Sequence, residues 1–290
     1  MRLVFLGTPE AAVPSLDALV AAGHDVALVI TRPDRRRGRG GALSPSPVKV
    51  AATRLGLTVG HRLADVNDIN VERGVVVAYG AIIPEALLAK VPMLNVHFSL
   101  LPRWRGAAPV QRAILAGDEE TGVSIISLEA TLDTGPVHLE RRVRVEDKSA
   151  HELTDELARV GASALIEVLA TPSLLDNPHA QHGEATYAEK ITKEMLHLDP
   201  ETTTIEALRT IRLGGAYLFV KDRRVVILSA RESNDHVPEG VIALRDDDVV
   251  AGTRQGSWVL EAVRPEGSST MTARAWWRGL RAGESELQWT

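Results

Sequence analysis

The 290-residue chain has no cysteine. That removes disulfides, thiol nucleophiles and the usual thiolate zinc sites from consideration. No apolar stretch reaches the roughly 18 residues of a membrane span, because charges, Pro or Gly interrupt each one. The opening MRLVFLGTPE is too short in its apolar part for a secretory signal and passes at once into folded pattern. These absences fit a cytoplasmic enzyme. Glycine signatures of nucleotide sites are missing as well. The turn Gly7-Thr8-Pro9-Glu10 is not G-x-G-x-x-G, and no Walker A sequence occurs. Without glycines that let the backbone approach a pyrophosphate, a dehydrogenase reading is demoted. A formal net charge of −5 argues against a generally basic nucleic-acid binder.

What is present is ordinary in bulk and uneven in detail. With 44% hydrophobic residues the chain can bury a real core, and its length suits two modest domains. Over the first hundred residues, apolar runs alternate with helical patterns. RLVFL (2–6), DVALVI (25–30), VVVAYG (75–80) and MLNVHF (93–98) read as strands. Segments near 11–22, 45–56 and 83–90 read as helices between them. That order implies right-handed crossovers and a Rossmann-like, mostly parallel sheet with helices on both faces, an α/β fold. GVSIISLEA (122–130) and VHLERRVRVE (137–146) alternate as antiparallel edge strands do. Residues 149–170 carry the longest helical pattern, opened by a Ser149/Glu152 capping box. From 172 to about 200 periodicity is lost, which suggests a linker wrapping the first domain. Beyond it come a helix (204–212), short strands such as 225–228, 240–244 and 257–263, and a last helix near 272–280. A small C-terminal β-barrel, OB-like, is expected. Trp276 and Trp277 sit on that last helix, one expected in the core and one partly exposed.

Chemistry concentrates in NVHFSLLPRWRGAAPVQ (95–111). Residues two apart on a strand face the same way, so Met93, Asn95 and His97 share one face and Leu94, Val96 and Phe98 the other. Asn95 and His97 then point together toward the carboxyl end of the strand, where open parallel sheets bind ligands. Downstream, in LEATLDTGPV (128–137), Asp133 precedes a Thr-Gly-Pro turn that aims a side chain outward. A third feature is TRPDRRRGRGG (31–41), where Arg32, Arg35, Arg36, Arg37 and Arg39 face one acid, Asp34. It is a cationic loop on an acidic protein.

NVHFSLLPRWRGAAP, with LDTG some thirty residues on, resembles the 10-formyltetrahydrofolate-dependent formyltransferases. PDRRRGRGGALSPSPVKV (33–50), VVVAYGAIIP (75–84), TYAEKITKE (186–194) and RPEGSSTMTARAWWRG (264–279) extend the likeness over nearly the whole chain. The resemblance implies a catalytic triad of Asn95, His97 and Asp133, and a folate loop of Ser99, Leu100, Leu101 and Pro102. It implies tRNA contacts at Arg35, Arg39 and Lys49. The co-substrate would be 10-formyltetrahydrofolate, with no metal, and the acceptor the α-amine of methionyl initiator tRNA. The implied layout is a catalytic domain over 1–185, a linker over 186–199 and a tRNA-binding barrel over 200–290, in a cytoplasmic monomer that meets no membrane.

Two departures are visible. RLGGAYLF (212–219) replaces an Asn-Pro-Trp-Pro-like stretch, and Arg36 and Arg37 stand where members often have Pro or Ala. Relatives acting on sugar nucleotides or on glycinamide ribonucleotide share the triad but not the arginine loop or the second domain. Hydrolysis of the folate needs the triad and no cationic loop. A non-catalytic RNA-binding module has no need of the triad.

Overall fold

A computed structural model describes residues 1–37, 41–280 and 286–290, and only the backbone of Arg37 and Ala42. The chain divides into two compact units. One comprises Met1–Val110, Glu119–Glu146 and Glu152–Glu189. The other comprises Gln111–Asp118, Asp147–His151 and Lys190–Thr290. Among the described residues no helix is long and apolar enough to cross a membrane.

The first unit is built on a seven-stranded sheet. Across it run Val137–Arg144, Glu120–Ser127, Met93–His97, Arg73–Val77, Arg2–Gly7, Asp25–Ile30 and Val59–Gly60. Neighbours from Met93–His97 to Val59–Gly60 are parallel, and the two strands on the other side are antiparallel. The strand that carries Asn95 and His97 therefore lies where the sheet changes from parallel to antiparallel pairing.

All five of its residues are buried, so both faces are covered. Met93 joins Val4, Leu6, Ile30, Val76 and Ile83 in one core cluster. On the other face a Cβ at Gly161, within the Ala150–Ala170 helix, would come 2.7 Å from Val96 Cγ1. Glycine there lets the longest helix lie flat on the strand. At the first turn, a Cβ on Gly7 would meet Ala12 Cβ and the Phe5 ring at 2.9 Å, so this glycine serves helix–strand packing.

The strand expected over 75–80 runs from Arg73 to Val77 instead. It ends because Ala78 takes φ +46° and Gly80 φ +76°. The segment after Pro172 is also more than a linker. It begins with a short helix, Pro172–Asp176. His179 then bridges Val137, and Tyr187–Ala188 pairs in parallel with Arg105–Gly106.

In the second unit, Tyr217–Val220, Arg223–Ser233, Ser257–Pro265, Asp248–Gly252, Val241–Arg245 and Glu286–Gln288 follow one another across an antiparallel sheet. A bridge from Val220 to Trp289, with reciprocal Phe219–Thr290 backbone bonds, joins its last strand to its first. The result is an almost closed barrel without long free edges. Trp258 and Trp289 meet edge to face inside it, ring centroids 6.2 Å apart. The closing helix is Ala273–Gly279, and both Trp276 and Trp277 are buried. One of the two was expected to be partly exposed. The helix packs so closely on the barrel core that adjacent positions both fall inside it.

Candidate active site

The carboxyl edge of the first sheet gathers the three residues the sequence singled out. Asn95 is 8% exposed, His97 6% and Asp133 6%. Asn95 sits between Val76 on one neighbour and Ile126 on the other, and His97 is paired with Ser124. Among the described residues the Asn95 amide has no hydrogen-bond partner, although a buried amide in a folded core normally has one. Its donors and acceptor are free for a ligand.

His97 is oriented by backbone. Its Nε2 lies 2.9 Å from the carbonyl oxygen of Trp104. A carbonyl only accepts, so Nε2 carries the hydrogen and Nδ1 is the nitrogen left for chemistry. Nδ1 faces Asp133 Oδ2 at 3.8 Å, close enough for electrostatic coupling and too long for a hydrogen bond. That same Oδ2 accepts the Gly106 N–H at 2.8 Å. The imidazole and the carboxylate are thus each held by backbone groups of the 104–106 turn.

That turn and its surroundings hold the backbone in costly conformations. Trp104 has φ +63°, Gly106 φ +125° and Asp133 φ +53°, with Ala78 on the adjacent strand end at φ +46°. Non-glycine residues in this region cost about 1–3 kcal/mol each and persist where neighbouring structure over-determines them. The bonds that do so are visible. Trp104 N–H donates to Thr186 Oγ1 at 2.9 Å, and Ala188 O accepts from Ala107 N–H at 2.8 Å. A Cβ at Gly106 would lie 2.8 Å from Ala188 O, so no other residue fits beside that strand.

The 99–102 loop is folded upon itself. Ser99 is fully buried, and its hydroxyl donates to Arg103 O at 2.6 Å. Ser124 Oγ receives the Leu101 N–H at 3.1 Å and lies 2.8 Å from Ser99 O. Leu101 packs with Ile126 and Val137, whereas Leu100 and Pro102 keep partly exposed surface. The Arg103 guanidinium covers the Trp104 ring at 4.4 Å from its centroid.

The cationic loop has a defined base. Arg35–Arg37 pairs with Ala42–Ser44 as a short hairpin, with Arg35 and Arg36 exposed. Thr31 and Ser46 hydroxyls meet at 2.8 Å beneath it, and Ser46 Oγ also caps the Pro47–Arg54 helix by accepting the Lys49 N–H. The Lys49 ammonium donates to both Asp34 carboxylate oxygens at 2.8 Å. Arg39 lies outside the described residues.

Comparison with known proteins adds a decisive observation. Residues 1–169 match the family model described as formyl transferase, and residues 190–281 match that of the formyl transferase C-terminal domain. The chain belongs to the formyl transferase family. A methionyl-tRNA formyltransferase of Heliobacterium modesticaldum is 40% identical over 311 residues, covering 98% of this chain and 98% of that one. Among solved structures, HypX from Aquifex aeolicus in complex with tetrahydrofolic acid shares the fold with a TM-score of 0.68 at 20% identity. The match covers 98% of this chain, which spans 48% of that one. A methionyl-tRNA formyltransferase from Clostridium thermocellum, 18% identical, gives a TM-score of 0.57 over 87% of this chain and 100% of its own. At such identities both structures bear on fold alone.

Sequence reasoning missed several residues of this formyl transferase that build the site from behind. Gly106 and Thr186 shape the turn above His97. Gln181, inside the stretch without periodicity, contacts both Arg105 and the Asp133 turn. Helical or strand pattern cannot reveal such residues, since each acts through a single local contact: the backbone N–H of Gly106, the hydroxyl of Thr186 and the amide of Gln181.

Proposed function

We propose that the protein transfers the formyl group of 10-formyltetrahydrofolate to the α-amine of methionyl initiator tRNA, giving N-formylmethionyl-tRNA. The observation that carries the reading is near-full-length likeness to methionyl-tRNA formyltransferases joined to an unpartnered Asn95 amide beside a backbone-held His97 and Asp133. In this reading residues 1–185 form the catalytic domain, 186–199 the linker and 200–290 the tRNA-binding barrel. The protein acts as a monomer in the cytoplasm.

The neutral amine attacks the formyl carbon and a C–N bond forms while the carbonyl oxygen gains charge. Asn95 donates an uncharged N–H to that oxyanion, and His97 donates from Nδ1 as an imidazolium. Asp133 accepts the proton the amine must lose, which is then passed to N10 as the C–N10 bond breaks. Ser99 and Leu101 hold the shape of the folate loop from within, and Leu100 and Pro102 offer it surface. Arg35 and Arg39 contact phosphates of the acceptor stem. Lys49, tied to Asp34, presents that loop to the RNA.

The test is formyl transfer from 10-formyltetrahydrofolate to methionyl initiator tRNA, beside methionyl elongator tRNA and an aminosugar nucleotide. Transfer confined to the initiator is the expected result. Transfer only to the sugar, or bare hydrolysis of the folate, overturns the assignment of the acceptor.

A further inference from the structure

Gln181 uses its whole amide at one place. Its Nε2 donates to the carbonyl oxygens of Asp133 at 2.8 Å and Gly135 at 2.9 Å. Its Oε1 accepts from Arg105 Nε at 3.1 Å and Nη2 at 2.6 Å. The orientation is dictated by these partners. A flipped amide would set an oxygen against two carbonyls and an NH2 against a guanidinium. Two donor hydrogens and two acceptor lone pairs are all satisfied.

What the clamp holds matters more than its strength. Asp133 adopts φ +53°, and the turn that follows admits only glycine at 135, where a Cβ would lie 1.8 Å from Ser127 O. The Asp133 carboxylate is fixed by Gly106 N–H, and its peptide carbonyl by Gln181. Arg105, whose guanidinium Gln181 grips, directly precedes Gly106. One side chain therefore ties together the two segments whose bond sets the 3.8 Å spacing between Asp133 and His97 Nδ1.

We propose that Gln181 is a positioning residue for formyl transfer, locking the Asp133 turn to the Arg105–Gly106 strand so that the carboxylate stays in register with His97. The inference rests on the role given above to Asp133. Misplacing a reacting group by about 1 Å costs on the order of 100-fold in rate, and loss of the clamp should approach that figure.

Two substitutions separate its halves. Gln181→Glu keeps the acceptor for Arg105 and sets an oxygen against both carbonyls, whereas Gln181→Met removes all four bonds at similar volume. Both should lower kcat by about 10- to 100-fold while KM for 10-formyltetrahydrofolate and for methionyl-tRNA moves less than about threefold. In both, amide hydrogen exchange at Gly106 should quicken, because its acceptor is no longer held. Wild-type kcat in Gln181→Glu would assign the residue to Arg105 alone and overturn the proposal. So would losses confined to KM, or unchanged Gly106 exchange in both variants. Wild-type protein assayed in parallel keeps the two readings apart. If it fails to formylate methionyl-tRNA the assignment of function falls, while Gly106 exchange still reports whether Gln181 holds the turn.

Discussion

Replacing Asp133 by Asn tests the electrostatic core of the site with little change of shape. The new side chain retains an oxygen to accept the Gly106 N–H, which now sits 2.8 Å from Oδ2. The charge is what disappears. At 3.8 Å from His97 Nδ1, with both side chains almost wholly buried, a full charge pair at an effective dielectric of about 20 is worth about 4 kcal/mol. Desolvation and relaxation reduce that figure, so a loss of about 100- to 1,000-fold in kcat is expected, at about 1.4 kcal/mol per factor of ten. Single-turnover transfer to methionyl-tRNA reads the chemical step, and equilibrium binding of the folate checks that the variant is otherwise intact. Asp133→Ala removes the Gly106 acceptor as well and should be slower still. If Asp133→Asn retains transfer within about fivefold, less than 1 kcal/mol, the carboxylate charge is not what prepares His97 and the argument fails.

Four other outcomes follow from the same geometry. Asn95→Ala should leave the melting temperature almost unchanged, since the amide bonds no group among the described residues, yet lower kcat by about 100- to 1,000-fold. His97→Asn, which places an amide near the Nδ1 position, should retain at least about ten times the kcat of His97→Gln, which mimics Nε2; the reverse order would return the chemistry to the nitrogen held by Trp104. Burial holds the His138 pKa below its ordinary 6.5, with nearby Arg73 and His179 adding to the effect and the Leu174 carbonyl opposing it. Its unfolded form therefore binds a proton first, so stability should be level above about pH 6.5 and fall below it by up to about 1.4 kcal/mol per pH unit; urea midpoints at pH 7.5 and 5.5 should diverge for wild type and less so for His138→Gln. Arg35→Ala should lower the log–log salt slope of tRNA affinity by about one unit and leave folate binding alone.

How much of this was legible in the sequence depends on what held each part together. Alternation in MLNVHF placed Asn95 and His97 on one face because a buried strand has a strict period of two. The crossover pattern likewise foretold the parallel strands at that edge. The end of the Arg73–Val77 strand was not legible, because nothing about an alanine announces the left-handed backbone Ala78 adopts. Nor was the role of 172–189, where order comes from single contacts: His179 on Val137, Gln181 on Asp133, Thr186 on Trp104. Trp276 and Trp277 fall within the closely packed barrel core, which a helical wheel of the helix alone does not contain. Lys49 entered only through the family resemblance, and its bond to Asp34 depends on how Asp34 and the Pro47–Arg54 helix meet in space.

The arrangement also constrains the route of the proton in the proposed reaction. With Nε2–H held by Trp104 O, a neutral His97 presents only a lone pair at Nδ1, which cannot stabilise an oxyanion. Donation therefore requires the imidazolium, and an imidazolium cannot also take the proton that the attacking amine must shed. Asp133 is the remaining base among the three. Its Oδ2 already accepts from Gly106, and the 3.8 Å gap to Nδ1 is too long for a direct bond, so the carboxylate is not saturated by the imidazole beside it. The spacing keeps the carboxylate beside the imidazole and leaves Asp133 open to the attacking amine.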